Sequence, residues 1–298
     1  MRTAFIQKLI EEAKSDDKIF LITGDLGFSV LEPFQQEFPD RFLNVGVAEQ
    51  NMTGVAAGLA MEGYTVFTYS IANFPTLRCI EQIRYDVCYH DLNVKIIAVG
   101  GGYAYASLGA SHHATEDFGM LRTIPNLTVC APGDPIETQA LVSLLTREKG
   151  PAYVRLGKAG EPKIHSSIPN IEKGEPVVVR KGKEKAVFST GAMLKYAYDY
   201  LNNNDLQYSL YSFPFIKPIN GGAIREIISS HQSIVTIEEH QKSAGFGSAI
   251  LEVINDLMEA NEISKFPSLK RIAIPDQFVG VAGTQEHLRG ISGLFLPI

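Results

Sequence analysis

The feature that most constrains the fold of this chain is a regular alternation of short apolar runs with longer stretches of helical spacing. Apolar runs at 19–23, 42–45, 65–68, 94–99, 128–131 and 152–155 are separated by helical patterns near 3–14, 49–61, 77–90, 115–123 and 134–146. Strands alternating with helices in this way build crossover units, so the pattern predicts an α/β sheet. From about 160 to 175 the alternation gives way to a polar, Pro/Gly-containing stretch that begins Gly160-Glu-Pro-Lys-Ile-His-Ser-Ser-Ile-Pro169. Strand signals restart at 176–179, 186–188, 208–213, 233–237 and 271–274, with helical patterns at 192–201, 221–230 and 247–259. The sequence thus predicts two consecutive α/β domains, 1–162 and a smaller 175–298, with a linker at about 163–174.

Composition narrows the function. A chain of 298 residues, 45% hydrophobic, can bury two sizeable cores. Its formal charge of −6 and the lack of a Lys/Arg stripe argue against a nucleic-acid footprint, and Arg180-Lys-Gly-Lys-Glu-Lys185 reads as a solvated turn. The N-terminal stretch is amphipathic, as a helix, and is neither a signal peptide nor a membrane span; no later apolar run is long enough to cross a bilayer. Cys79, Cys88 and Cys130 form no C-x-x-C pair and fit reduced, mostly buried thiols in the cytoplasm, with no metal or redox use.

Ligands of such sheets usually sit at the C-terminal strand ends, where Gly24-Asp25-Leu26-Gly27, Gly100-Gly-Gly102 and Ala131-Pro-Gly-Asp-Pro135 fall. At one such end, Val45-Gly46-Val47-Ala48-Glu49-Gln50-Asn51-Met52 plants one carboxylate at the mouth of a helix that is otherwise uncharged until Met61 and rich in small residues. Burial there would disfavour the ionised carboxylate of Glu49, which suits a group that shares a proton near neutrality. The same position also suits an acid that only complements the helix dipole.

The spacing Gly46-x-x-Glu49-x-x-Met52 resembles the pyrimidine-binding domain of thiamine-diphosphate enzymes, specifically the C-terminal half of transketolase and 1-deoxyxylulose-5-phosphate synthase. Lys217-Pro218, Thr236-Ile-Glu-Glu-His240 and Gly245-Phe-Gly-Ser248 extend the resemblance into the family's C-terminal domain. It implies that Glu49 contacts N1′ of the cofactor's aminopyrimidine and drives it to the imino tautomer, the chemistry itself being the cofactor's. It further implies that Ile71 and Phe74 wall the pyrimidine and that Asp25 is the family's interface acid beside the cofactor. His112, in Gly109-Ala-Ser-His112-His113-Ala-Thr-Glu116-Asp117, would meet the sugar, and Arg155, Ser29 and Arg2 would bind its phosphate. Neighbouring His113 and the acids Glu116 and Asp117 stay open, the acids fitting equally the first turn of the next helix.

Two departures from the family pattern stand out. Leu108 precedes Gly109 where the family has an Asp, and Gly100-Gly-Gly102 stands where it has a His after the preceding strand. A pocket short of polar partners selects a different substrate, so the expected sugar is deoxy, branched or nucleotide-linked rather than a standard pentose or heptose phosphate. The family's G-D-G…N motif, which holds the diphosphate through Mg²⁺, is also missing, since Gly24-Asp25-Leu26-Gly27 has an unsuitable third residue. The resemblance then implies a split enzyme. A partner chain, the N-terminal transketolase subunit, carries Mg²⁺ and the diphosphate site, and the two form an α₂β₂ assembly that moves a two-carbon ketol unit between sugars or sugar phosphates. Alternatives are a decarboxylating enzyme, of the deoxyxylulose-phosphate-synthase or 2-oxo-acid dehydrogenase β-subunit type, and a non-catalytic scaffold subunit.

Overall fold

The computed structural model describes residues 1–296. Helix α1 (Arg2–Ser15) leads into β1 (Ile19–Thr23), α2 (Glu32–Glu37), β2 (Phe42–Asn44), α3 (Glu49–Met61) and β3 (Thr65–Ile71). Next come α4 (Ile80–Gln82), β4 (Val94–Val99), α5 (Asp117–Leu121), β5 (Thr128–Cys130), α6 (Pro135–Arg147) and β6 (Ala152–Leu156). The remainder holds β7 (Val177–Arg180), β8 (Lys185–Ser189), α7 (Met193–Asn203), β9 (Ser209–Ser212), β10 (Phe215–Lys217) and α8 (Gly221–Ser230). It ends with β11 (Ser233–Gln241), α9 (Phe246–Glu259), β12 (Ser268–Ile274) and α10 (Gln285–Ile291).

The first sheet has the order β10-β5-β6-β4-β3-β1-β2 and is parallel except for β10, which runs antiparallel to β5. The second has the order β12-β11-β8-β9-β7 and is parallel except for β7. Helices cover both faces of the first, which is why its strands read as unbroken apolar runs. On β3 the period of two sorts side chains cleanly. Val66 packs with Met52 and Ala56 of α3, whereas Phe67 and Tyr69 pack with Phe5 and Leu9 of α1 and Leu141 and Leu145 of α6.

Two elements differ from the sequence reading. The expected helix 77–90 is a short 3-10 turn at Leu77–Cys79, then α4, then a π-helical stretch Ile83–Tyr89, a widening common near functional sites. Strand β10 falls within the second unit by sequence, yet it closes the edge of the first sheet, with Phe215 and Ile216 buried. Its pairing partner lies 85 residues upstream at Cys130, so nothing local signals it. Finally, the small residues of α3 split between two faces: Ala56, Ala57 and Ala60 enter the core, but Gly54 and Gly58 point outward with nothing of this chain against them.

The two halves share one hydrophobic core. Phe118 and Leu121 of α5 join Phe188, Phe213, Ile216 and Phe246 from the second half. All three cysteines are buried and free. Burial pushes the thiols of Cys79 and Cys88 up to about 11 and about 12, so both stay protonated and unreactive at neutral pH. Among the described residues no helix is long and apolar enough to cross a membrane, and no group of three or more His, Cys, Asp or Glu side chains could hold a metal ion.

Candidate functional site

Glu49 opens α3 directly after the β2 turn, and it is 2% exposed. The turn is tied by Asn44, whose side-chain oxygen accepts from the backbone nitrogens of Asp25 (2.9 Å) and Gly46 (3.0 Å) while its Nδ2 donates to Asp25 Oδ1 (3.1 Å). The β1 loop packs over the acid at Gly24, where a Cβ would be in ordinary contact with Glu49 Cγ at 3.6 Å. Asp25 is therefore an exposed brace between two loops, in a left-handed conformation with φ of 58°.

By sequence Glu49 stands alone in an uncharged helix; the folded chain gives it a cation. Arg78 donates from Nη1 to Glu49 Oε2 at 3.2 Å, and the Arg78 carbonyl is held in turn by Gln50 Nε2 at 2.9 Å. Oε1 of Glu49 has no hydrogen bond among the described residues. Arg78 is itself half exposed, so the pair is buried at its acidic end only. The sequence does hold a signal for this residue: Arg78 lies four residues beyond Phe74 on the same turn, and its guanidinium sits over the Phe74 ring at 4.9 Å.

Phe74 meets the His112 ring edge-on with centroids 5.3 Å apart. Asn73 Nδ2 donates to the Ser111 carbonyl at 2.6 Å, clamping the loop after β3 to the loop that carries His112. Glu49, Arg78, Phe74 and His112 thus form one continuous line of contacts at the C-terminal edge of the sheet. Ile71 is half buried at the end of β3, beside this line. His113 points elsewhere: it is buried against Tyr103, and burial lowers its pKa.

Arg155, implied as a phosphate ligand, is committed inside the protein. Its Nη1 donates to Asp117 Oδ1 (3.2 Å), its Nη2 to the Glu239 carbonyl (2.7 Å), and its plane lies 4.4 Å from Phe118. Asp117 also accepts from the Tyr153 hydroxyl at 2.6 Å, and both members of the ion pair are buried. Its guanidinium thereby joins the two halves of the chain. It also explains the triple glycine: a Cβ on Gly101 would overlap the Arg155 side chain, and one on Gly102 would meet Glu239 at 2.7 Å. Ser29 is exposed, and its backbone nitrogen donates to Glu32 Oε1 at 2.7 Å. Arg2 begins α1 on the same sheet edge.

Residues 1–161 match the family model "Transketolase, pyrimidine binding domain" and residues 174–292 match "Transketolase, C-terminal domain". The chain belongs to the transketolase family. It is 34% identical to a subunit of the apulose-4-phosphate transketolase of Phocaeicola vulgatus over 98% of this chain and 93% of that one. It is 30% identical to the 6-deoxy-6-sulfo-D-fructose transketolase subunit SqwH of Clostridium sp. (strain MSTE9), covering 99% of this chain and 90% of that one. A solved structure described as a split gene transketolase, inactive beta4 tetramer, superimposes with a TM-score of 0.84 at 33% identity, covering 98% and 93% of the two chains. This chain is accordingly a transketolase-type enzyme subunit with two α/β domains, and membership of the family implies dependence on thiamine diphosphate.

Proposed function

We propose that this chain is the C-terminal, or β, subunit of a split transketolase that supplies the pyrimidine half of the cofactor site and part of the sugar site. The observation that carries the reading is the line from buried Glu49 through Arg78 and Phe74 to His112. The donor set fits the cofactor's aminopyrimidine. Glu49 Oε1 is without a partner among the described residues and can receive a ring N–H, and Phe74 and Ile71 offer an aromatic and an apolar wall. When bound, thiamine diphosphate supplies the carbanion chemistry of ketol transfer. The protein's own work is to accept the ring N–H at the Glu49 carboxylate, which Arg78 holds in place, to orient the ring, and to present the His112 imidazole to a sugar hydroxyl. His112 Nδ1 pairs with the Ser111 hydroxyl at 3.1 Å, which leaves Nε2 for the substrate.

The diphosphate and its Mg²⁺ belong to an N-terminal partner subunit in an α₂β₂ assembly, a reading supported by the names of the split relatives. The outward face of α3, with Gly54, Gly58 and Met61, and the 75% exposed Val47 beside it, is the surface offered to that partner. The substrate is a non-standard sugar, as it is in the names of two relatives. Arg2 and Ser29 are its distal contacts, Asp25 braces the loop beside the cofactor, and the enzyme works in the cytoplasm.

Calorimetric titration of thiamine diphosphate with Mg²⁺ tests the proposal, first on this chain and then on its mixture with the partner chain. Binding in the mixture alone is the expected result. Tight binding by the lone chain refutes the split site, and CO₂ release from pyruvate by the mixture moves the reading to a decarboxylating enzyme.

A further inference from the structure

The second half of the chain reaches the edge of the catalytic line through the segment that follows β12. Val279 is buried in the same core as Tyr103, while Gln277 and Phe278 before it remain exposed. These two side chains share a cleft of about 270 Å³ with the loops that carry Asn73 and His113, close to the lower limit of small-molecule pockets. The cleft adjoins the line from Glu49 to His112. Ala110 and His113, on either side of Ser111 and His112, both line it, and so does Asn73, which holds the Ser111 carbonyl.

The chemistry of the walls selects the ligand. His113 is 6% exposed, its ring fixed edge-on against Tyr103 at 5.1 Å, and its Nε2 is enclosed with no hydrogen-bond partner among the described residues. Burial lowers its pKa, so the imidazole is neutral and pairs best with a hydroxyl, which can donate or accept as the tautomer requires. Glu116 is the one acid on the cleft, and both its oxygens already accept from Thr115: Oε1 from the hydroxyl at 2.8 Å and Oε2 from the backbone nitrogen at 3.2 Å. Among the described residues no Lys or Arg lines the cleft, so an anion finds no counter-charge there.

Apolar surface from Leu77, Met120 and Phe278 completes the cleft and suits the C–H face of a carbohydrate, while the carboxamides of Asn73 and Gln277 suit its hydroxyls. We propose that this cleft is the part of the sugar site that receives the uncharged, hydroxylated chain, with His113, Gln277 and Phe278 as specificity-determining residues. The C-terminal domain thereby takes part in substrate selection. The proposal rests on the transketolase reading of the site, and its binding test needs no turnover.

The full chain is first titrated with erythritol, erythronate and 1-amino-1-deoxyerythritol, the neutral, anionic and cationic forms of one short chain. Erythritol is expected to move the His113 imidazole ¹⁵N resonances and to bind about tenfold tighter than erythronate. Phe278→Ala and Gln277→Ala, at exposed positions that folding tolerates, are each expected to weaken erythritol about three- to tenfold. No movement of the His113 resonances, binding unchanged in both variants, or tighter binding of either charged form overturns the proposal. In the complex with the partner chain, ketol transfer from hydroxypyruvate to erythrose and to glycolaldehyde reads the same cleft. Phe278→Ala is expected to raise KM for erythrose about three- to tenfold with kcat unchanged, and to leave the shorter glycolaldehyde unaffected. An equal change for both aldehydes, or none for either, overturns the proposal. If neither aldehyde is used, the transketolase reading falls; erythritol binding would then still support a polyol site in the cleft, and its absence would overturn that too.

Discussion

Arg155 decides between two accounts of this protein, and Arg155→Met separates them. The resemblance to transketolases makes it a substrate ligand; its contacts make it a strut. In the structure the side chains of Arg155 and Asp117 are 8% and 1% exposed, with 3.2 Å between Nη1 and Oδ1. Methionine keeps the packing on Phe118 but leaves Asp117 buried with only the Tyr153 hydroxyl and frees the Glu239 carbonyl. Removing one member of a buried pair costs about 3–5 kcal/mol, because the remaining charge stays desolvated. For a chain of this size that lowers Tm on the order of 10 °C. Thermal unfolding by circular dichroism, run on the wild type, Asp117→Asn, Arg155→Met and the double variant, is the assay. The double variant is expected to be less destabilised than the sum of the singles, by about 1–3 kcal/mol, since no orphaned charge remains. A wild-type Tm for Arg155→Met, combined with a raised KM for a phosphorylated sugar, would refute the strut and restore the phosphate role.

Glu49→Gln should cut turnover of the assembled enzyme at least about 100-fold while shifting Tm little, because the partner Arg78 is half exposed; steady-state kinetics beside thermal melts will show whether the two effects separate. Gly100→Ala forces a side chain into the Tyr105 ring at a φ of 83° and is expected to destabilise by about 1–3 kcal/mol, with Tyr105→Ala in the same chain recovering part of the loss in urea unfolding. Stability should fall as pH rises from 5 to 9. Burial pushes Glu137 up to about 7 and Glu238 up to about 8, so the folded state holds protons that the unfolded state has released, and their contribution is lost as pH passes those values. For His165 burial lowers the pKa, but the neighbouring Asp134 carboxylate outweighs it and raises it, giving the same sign. Glu238→Gln, which keeps an acceptor oxygen for only one of the Phe246 and Gly247 nitrogens and so lowers Tm at every pH, should flatten the alkaline limb of a Tm-against-pH profile; an unchanged slope would show that Glu238 does not titrate there.

Features under short-range control were legible in the residues alone. The alternation of strands and helices, the position of Glu49 at a helix start, and Phe74 and His112 on loops at strand ends follow from periodicities and local residue types. These depend on neighbours a few positions away, and the structure reproduces them. The helix boundaries slipped where a π-helical stretch replaced regular turns, a local choice that apolar spacing does not encode. The partners of the buried charges, by contrast, were settled by packing. Arg155 finds Asp117 and the Glu239 carbonyl across separations of 38 and 84 residues, Glu49 finds Arg78 across 29, and β10 leaves the second half to pair with β5. A buried cation must be matched by whichever acceptors the packed core brings to it, and their identity is set by how two sheets meet rather than by any residue near it in the chain. The three glycines at 100–102 show the same division: their presence is plain in the sequence, but the side chains that need the room, Tyr105, Arg155 and Glu239, reach them only when the chain is folded.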